Sequence, residues 1–233
     1  MTGLLEERRI GDVVGRFPWG SNATFLVSLV GNDDSTEVPL AVYKPVRGER
    51  PLWDFPGGLH AREIAAFEMA KALGWPRIPE TVHVEDGPYG PGSLQQFVEV
   101  DPDQHYFTLL EREDLADRFV EIAVFDLVVN NADRKAGHVL LSADGGVWAI
   151  DHGLCFHVEP KLRSVIWEFG GIALPTTLLA DLDRVSKELP QSVSSLLRSD
   201  ESAAVQQRAA AVRDLGELPD VPEDERPYPW PLV

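Results

Sequence analysis

Asn130-Asn131-Ala132-Asp133-Arg134-Lys135-Ala136-Gly137-His138-Val139-Leu140, then Asp144-Gly145-Gly146, then Ile150-Asp151-His152-Gly153, is the stretch on which the reading of this chain turns. A polar block runs into an apolar one, Asp-Gly-Gly supplies hairpin chemistry, and Val147–Ile150 is apolar again. An antiparallel hairpin from Val139 to Ile150 returns the chain, so that His138 and Asp151 at its open end face one volume. A divalent ion fits between an imidazole and a carboxylate placed in this way. Asp133, in the loop just before, is near enough in sequence to reach an acceptor hydroxyl over the same volume. Arg134 and Lys135 beside it are expected to stabilise developing phosphate charge.

Upstream, Asp114–Asn130 carries Leu115, Phe119, Ile122, Ala123, Phe125, Asp126 and Leu127 in a long helical pattern, which predicts a helix leading into the polar block. Before it, Ile78–Glu85 and Gly92–Val100 read as short strands. Ala61–Leu73 reads as an amphipathic helix that stops at Gly74. Gly11–Phe17, Ala23–Val30 and Val38–Pro45 read as a three-stranded antiparallel meander, with turns at Trp19-Gly20-Ser21-Asn22 and Gly31-Asn32-Asp33-Asp34. Downstream, Leu178–Glu188 and Ser192–Leu215 are expected helices, and Glu217–Val233 gathers acids among prolines as an extended, partly mobile tail.

These elements predict an α+β chain with two lobes: a β-rich part over residues 1–98, a catalytic and helical part over 99–216, and a tail over 217–233. With 233 residues, the chain has room for two small lobes sharing a cleft but not for several independent domains. A formal charge of −17 argues against nucleic acid or an anionic membrane as main partner, since both require a basic surface. The single cysteine, Cys155, excludes an internal disulfide framework and reads as structural. Met1–Arg9 lacks the pattern of a signal peptide and no apolar run approaches the ~20 residues of a membrane span, so the cytoplasm is the expected location.

Phosphoryl transfer calls for cations on the triphosphate, oxygen-bearing groups on the metal and a carboxylate for the attacking hydroxyl. The catalytic-loop and hairpin residues resemble those of the phosphatidylinositol 3- and 4-kinase-like and HipA-like kinases. In those families an Asp-Arg pair is followed, five residues after the Asp, by a metal-binding Asn, and later by a metal-binding Asp. Asp133, Arg134 and Asp151 match, while His138 stands where Asn is expected. His is the softer ligand, and Mg²⁺ prefers oxygen.

The resemblance extends upstream. It makes Lys44, in Val42-Tyr43-Lys44-Pro45, the lysine on the α- and β-phosphates, and Glu63 the acid that fixes it. It also makes Gly20, Ser21 and Asn22 the phosphate-covering turn, and Gln96 and Val98 the backbone contacts to adenine in the Gln95–Val98 connector. What it implies is a kinase-like fold and a kinase using ATP with Mg²⁺ or Mn²⁺ to phosphorylate a hydroxyl acceptor: small molecule, protein or lipid headgroup. Two other readings stand beside it. One is a nucleotide-binding pseudokinase that contacts a protein partner. The other is a metal-dependent hydrolase in which His152 and His157 join Asp133, Asp151 and His138 around a transition metal.

Overall fold

The structure, a computed structural model, describes residues 5, 8–18, 22–31, 39–223 and 226–233. Its N-terminal part is a five-stranded antiparallel sheet of β1 (Arg9–Arg16), β2 (Phe25–Val30), β3 (Leu40–Pro45), β4 (Thr81–Val84) and β5 (Gly92–Gln96), in the order β1-β2-β3-β5-β4. Burial alternates along β3: Ala41, Tyr43 and Pro45 are buried, and Leu40, Val42 and Lys44 are less so. Because strand side chains alternate faces, Tyr43 joins a small core with Val27, Leu29, Ala41 and Leu94, while Lys44 points to the other side.

Helix α1 (Leu59–Leu73) lies between β3 and β4 in the chain and ends at Gly74, whose φ of 85° supplies the left-handed C-terminal turn. The chain then passes into a second, three-stranded sheet of β6 (Val100–His105), β7 (Val139–Ser142) and β8 (Val147–Ala149), in the order β6-β7-β8. Around it lie α2 (Tyr106–Leu109), α3 (Ala116–Val129), α4 (Thr176–Lys187), α5 (Gln191–Ser194) and α6 (Ser199–Leu215). The main core forms here, with Phe119, Ile122, Val124, Phe125 and Val128 of α3 buried among residues of α1, α4 and α6. The architecture is thus α+β, a β-rich N-terminal lobe joined to a helical C-terminal one.

Several expected elements are redrawn. The strand expected over Gly92–Val100 stops at Gln96, and Val100–His105 belongs to the second sheet, where Val100 pairs with Ser142. The strand expected from His138 starts at Val139, because Ala136–His138 closes a 3₁₀ turn. The helix expected over Ser192–Leu215 is two helices. Leu196 and Leu197 turn toward the core, and Glu201 Oε2 accepts the Arg198 N–H at 2.9 Å, starting α6 anew. Residues 226–233 are fastened rather than loose. Pro227 O accepts the Ser164 N–H at 2.8 Å, and Leu232 O accepts the Ala136 N–H at 2.8 Å. Among the described residues no helix is long and apolar enough to cross a membrane.

Candidate active site

Lys44 is delivered by β3 and Glu63 by the first turns of α1, and their side chains meet at 2.5 Å (Nζ to Oε1). Lys44 Nζ also lies 3.0 Å from Asp151 Oδ1, beyond the end of β8. The other oxygen of Glu63, Oε2, accepts the His152 N–H at 3.1 Å, so this one carboxylate ties strand, helix and hairpin end together. Burial alone would push the Lys44 ammonium down in pKa, but Asp151 and then Glu63 outweigh it and hold it above its ordinary value. Burial raises Glu63, against the pull of Lys44. The Lys44 charge holds Asp151 far below the usual carboxylate range.

Asp151 sits at φ 61°, in the left-handed region that aspartate tolerates better than most residues. The hairpin closes as its sequence predicts: Gly145 at φ 80° turns the chain, Leu140 pairs with Trp148, and Ile150 N–H donates to His138 O at 3.0 Å. This pairing sets His138 Nε2 3.3 Å from Asp151 Oδ2. Burial pushes the His138 imidazole down to about 4, so it is neutral at physiological pH.

The loop carrying Asp133 leaves α3 through Asn130, which caps the helix at φ 57°. Asn131 Oδ1 accepts the Asp133 N–H at 3.0 Å, and Asn131 Nδ2 donates to Asp126 Oδ1 at 2.9 Å. The Asp133 carboxylate is partly exposed and lies 3.4 Å from Lys135 Nζ. Burial raises it to about 6, with Lys135 opposing and Asp151 adding to the shift.

Arg134 departs from its expected role. Its side chain is 0% exposed, with Nε and Nη2 on the two oxygens of Asp126 at 2.7 and 2.9 Å, Nη1 on Ile150 O at 2.8 Å and Nη2 on His152 Nε2 at 2.8 Å. It cannot meet phosphate in this position; it braces the loop and the hairpin end against α3. Asp126 and His152 are the site-supporting residues that the motif did not reveal. The residues named for a transition-metal cluster do not converge either. The His152 ring is buried against Arg134, and the His157 ring packs on Phe55 with centroids 5.3 Å apart.

Of the residues expected at the nucleotide, Gly20 and Ser21 lie outside those described. The Asn22 side chain is already engaged, its Oδ1 accepting the Arg50 N–H at 2.8 Å. In the connector, Gln96 N–H goes to Glu80 O at 2.8 Å and Phe97 N–H to Leu40 O at 3.2 Å, so Gln96 cannot offer that amide to a ligand. Val98, half-buried, follows them without a backbone hydrogen bond among the described residues.

A strand lysine held by a helix glutamate and facing a hairpin-end aspartate, with a loop aspartate close in sequence, is the arrangement of the kinase class of phosphotransferase. Residues 60–182 match the family model described as phosphatidylinositol 3- and 4-kinase. Protein Rv2133c of Mycobacterium tuberculosis (strain ATCC 25618 / H37Rv) is 37% identical over 257 residues, covering 94% of this chain and 91% of that protein. The chain belongs to the phosphatidylinositol 3- and 4-kinase family. The matched segment begins at His60, after Lys44. Among solved structures, the Helicobacter pylori proinflammatory kinase CtkA is similar at a TM-score of 0.49 and 13% identity, over 91% of this chain and 93% of that one. HipA of a Shewanella oneidensis MR-1 toxin–antitoxin system is similar at 0.43 and 15%, over 89% and 67%.

Proposed function

We propose that this chain transfers the γ-phosphate of ATP to a hydroxyl acceptor in a cleft between residues up to 98 and those from 99 on. The observation that carries this reading is Lys44 Nζ set between Glu63 and Asp151, at 2.5 and 3.0 Å, because it brings a phosphate-binding cation and a metal-binding carboxylate to one point. Lys44 binds the α- and β-phosphates and Glu63 orients it. Val98 meets the adenine edge, and the Gly20–Asn22 turn covers the phosphates. Asp133 takes the acceptor's proton: raised to about 6, it is ionised at neutral pH yet basic enough to accept. Lys135, beside it, faces the charge that builds on the transferring group.

Asp151 Oδ2 and His138 Nε2, 3.3 Å apart, would hold a divalent cation by position and donor chemistry. When bound, Mg²⁺ or Mn²⁺ would neutralise the triphosphate. We place the reaction in the cytoplasm, with a small molecule, a protein or a lipid headgroup as acceptor.

The test is thermal unfolding of wild type and Asp151→Asn across an ATP titration with Mg²⁺, with Mn²⁺ and with neither. A ligand that binds only the folded form raises the melting temperature. The expected result is metal-dependent stabilisation by ATP that Asp151→Asn loses. Absence of any nucleotide effect with either metal overturns the reading.

A further inference from the structure

We infer that the metal position between His138 and Asp151 is a nitrogen–oxygen site that selects Mn²⁺ over Mg²⁺, an inference that rests on the kinase reading above. His138 Nδ1 lies 3.0 Å from the carbonyl oxygen of Asp133, and a carbonyl can only accept. In the tautomer that carries its hydrogen on Nδ1, the ring donates to that oxygen. The Lys135 N–H also approaches Nδ1, but at a longer 3.4 Å. In that tautomer Nε2 turns its lone pair toward Asp151 Oδ2, 3.3 Å away and itself an acceptor. Either a proton on Nε2 or a metal ion between them relieves that repulsion, and the geometry suits the metal ion once ATP brings it.

The rest of the ring's setting is that of a ligand. Imidazoles that bind metal donate their other N–H to a carbonyl or carboxylate, which fixes tautomer and aim, and here the partner is the backbone of the residue that bears the catalytic carboxylate. The ring is largely buried and rises from the 3₁₀ turn Ala136–His138, so the site cannot easily exchange it for water. Mg²⁺ holds to oxygen and sheds water reluctantly, whereas Mn²⁺ accepts imidazole as readily as carboxylate. Among the described residues these two are the ligands this reading assigns to the metal. Exchanging one oxygen for a nitrogen therefore changes half of the protein's contribution to metal choice.

The experiment is pulsed electron paramagnetic resonance of Mn²⁺ bound with ATP to the full chain, prepared with natural-abundance and with ¹⁵N-labelled histidine. Thermal-shift titrations of Mg²⁺–ATP and Mn²⁺–ATP on wild type and His138→Asn accompany it. The expected result is a directly bound nitrogen whose coupling changes with the histidine label. The preference for Mn²⁺ should fall about tenfold in His138→Asn. ATP stabilisation without a histidine coupling, and with an equal metal preference in both proteins, overturns the inference and leaves the kinase reading standing. No stabilisation by ATP with either metal overturns both. The wild-type label comparison decides alone if His138→Asn folds poorly.

Discussion

Arg134 and Asp126 meet as a two-pronged ion pair shut off from water, with side chains 0% and 1% exposed. Removing one partner leaves the other charge buried and alone. Arg134→Met is expected to destabilise the protein by about 3–5 kcal/mol in urea unfolding at pH 7. Arg134→Met with Asp126→Leu should recover most of that loss, since neither charge then remains. Arg134→Lys should not rescue, because an ammonium cannot span both oxygens while also reaching Ile150 O and His152. Equal stability of the single and double variants would show that the pair does not act as a unit.

Asp133 is strained in the opposite sense. Its folded pKa of about 6 lies above the ordinary 3.8, so the folded state holds its proton more tightly than the unfolded chain does. The associated stability is fully present below about pH 4 and is lost as pH rises through about 6. Asp133→Asn should therefore be more stable than wild type at pH 7.5, by on the order of 1 kcal/mol after solvent screening, with the gap closing toward pH 4. Turnover, once an acceptor is known, should fall by about 10²–10⁴-fold. A wild-type advantage in thermal unfolding at pH 7.5 would contradict the pKa assignment.

Lys44 keeps Asp151 and Glu63 compatible. Asp151 is depressed mainly by Lys44, so its contribution to stability exists above the ordinary carboxylate range and vanishes only in strong acid. In Lys44→Met the two carboxylates face each other without a cation, and one of them takes a proton more readily. The variant should thus gain on wild type as pH falls from 7 to 5, and ATP should no longer raise its melting temperature. Parallel pH profiles for the two proteins would count against the coupling.

Gly92 stands across from Pro45, and a Cβ there would come 2.3 Å from Lys44 O and 2.8 Å from Pro45 Cα. Backbone cannot yield cheaply to that. Gly92→Ala should destabilise by about 1–3 kcal/mol and, by shifting the strand, weaken ATP stabilisation as well. Gly57→Ala, where a Cβ meets nothing within 4 Å, is the control.

The residues brought together around Lys44 were legible because local chemistry announces them. Asp144-Gly145-Gly146 demands a hairpin, the hairpin forces His138 and Asp151 together, and the alternation of β3 turns Lys44 away from the core toward the acid of the next helix. Arg134 was misread because a cation in a polar run resembles a surface residue, and its partner lies back on a helix. One sign was present: Asp126 interrupts Ala123-Val124-Phe125 and Leu127-Val128-Val129, and a carboxylate on a buried helix face requires a cation. The split at Phe97–Glu99 was hidden because both neighbouring segments are strands, and only their partners differ. The break before α6 was hidden too, since it depends on where Leu196 and Leu197 find a core.

The hydrogen bond from Ala136 N–H to Leu232 O makes residues 226–233 a support for the loop that bears Asp133. A substitution that shifts the backbone at Leu232 would therefore edit the loop of Asp133 from a distance. A distant strap of this kind makes the loop's geometry answer to chemistry well outside the site.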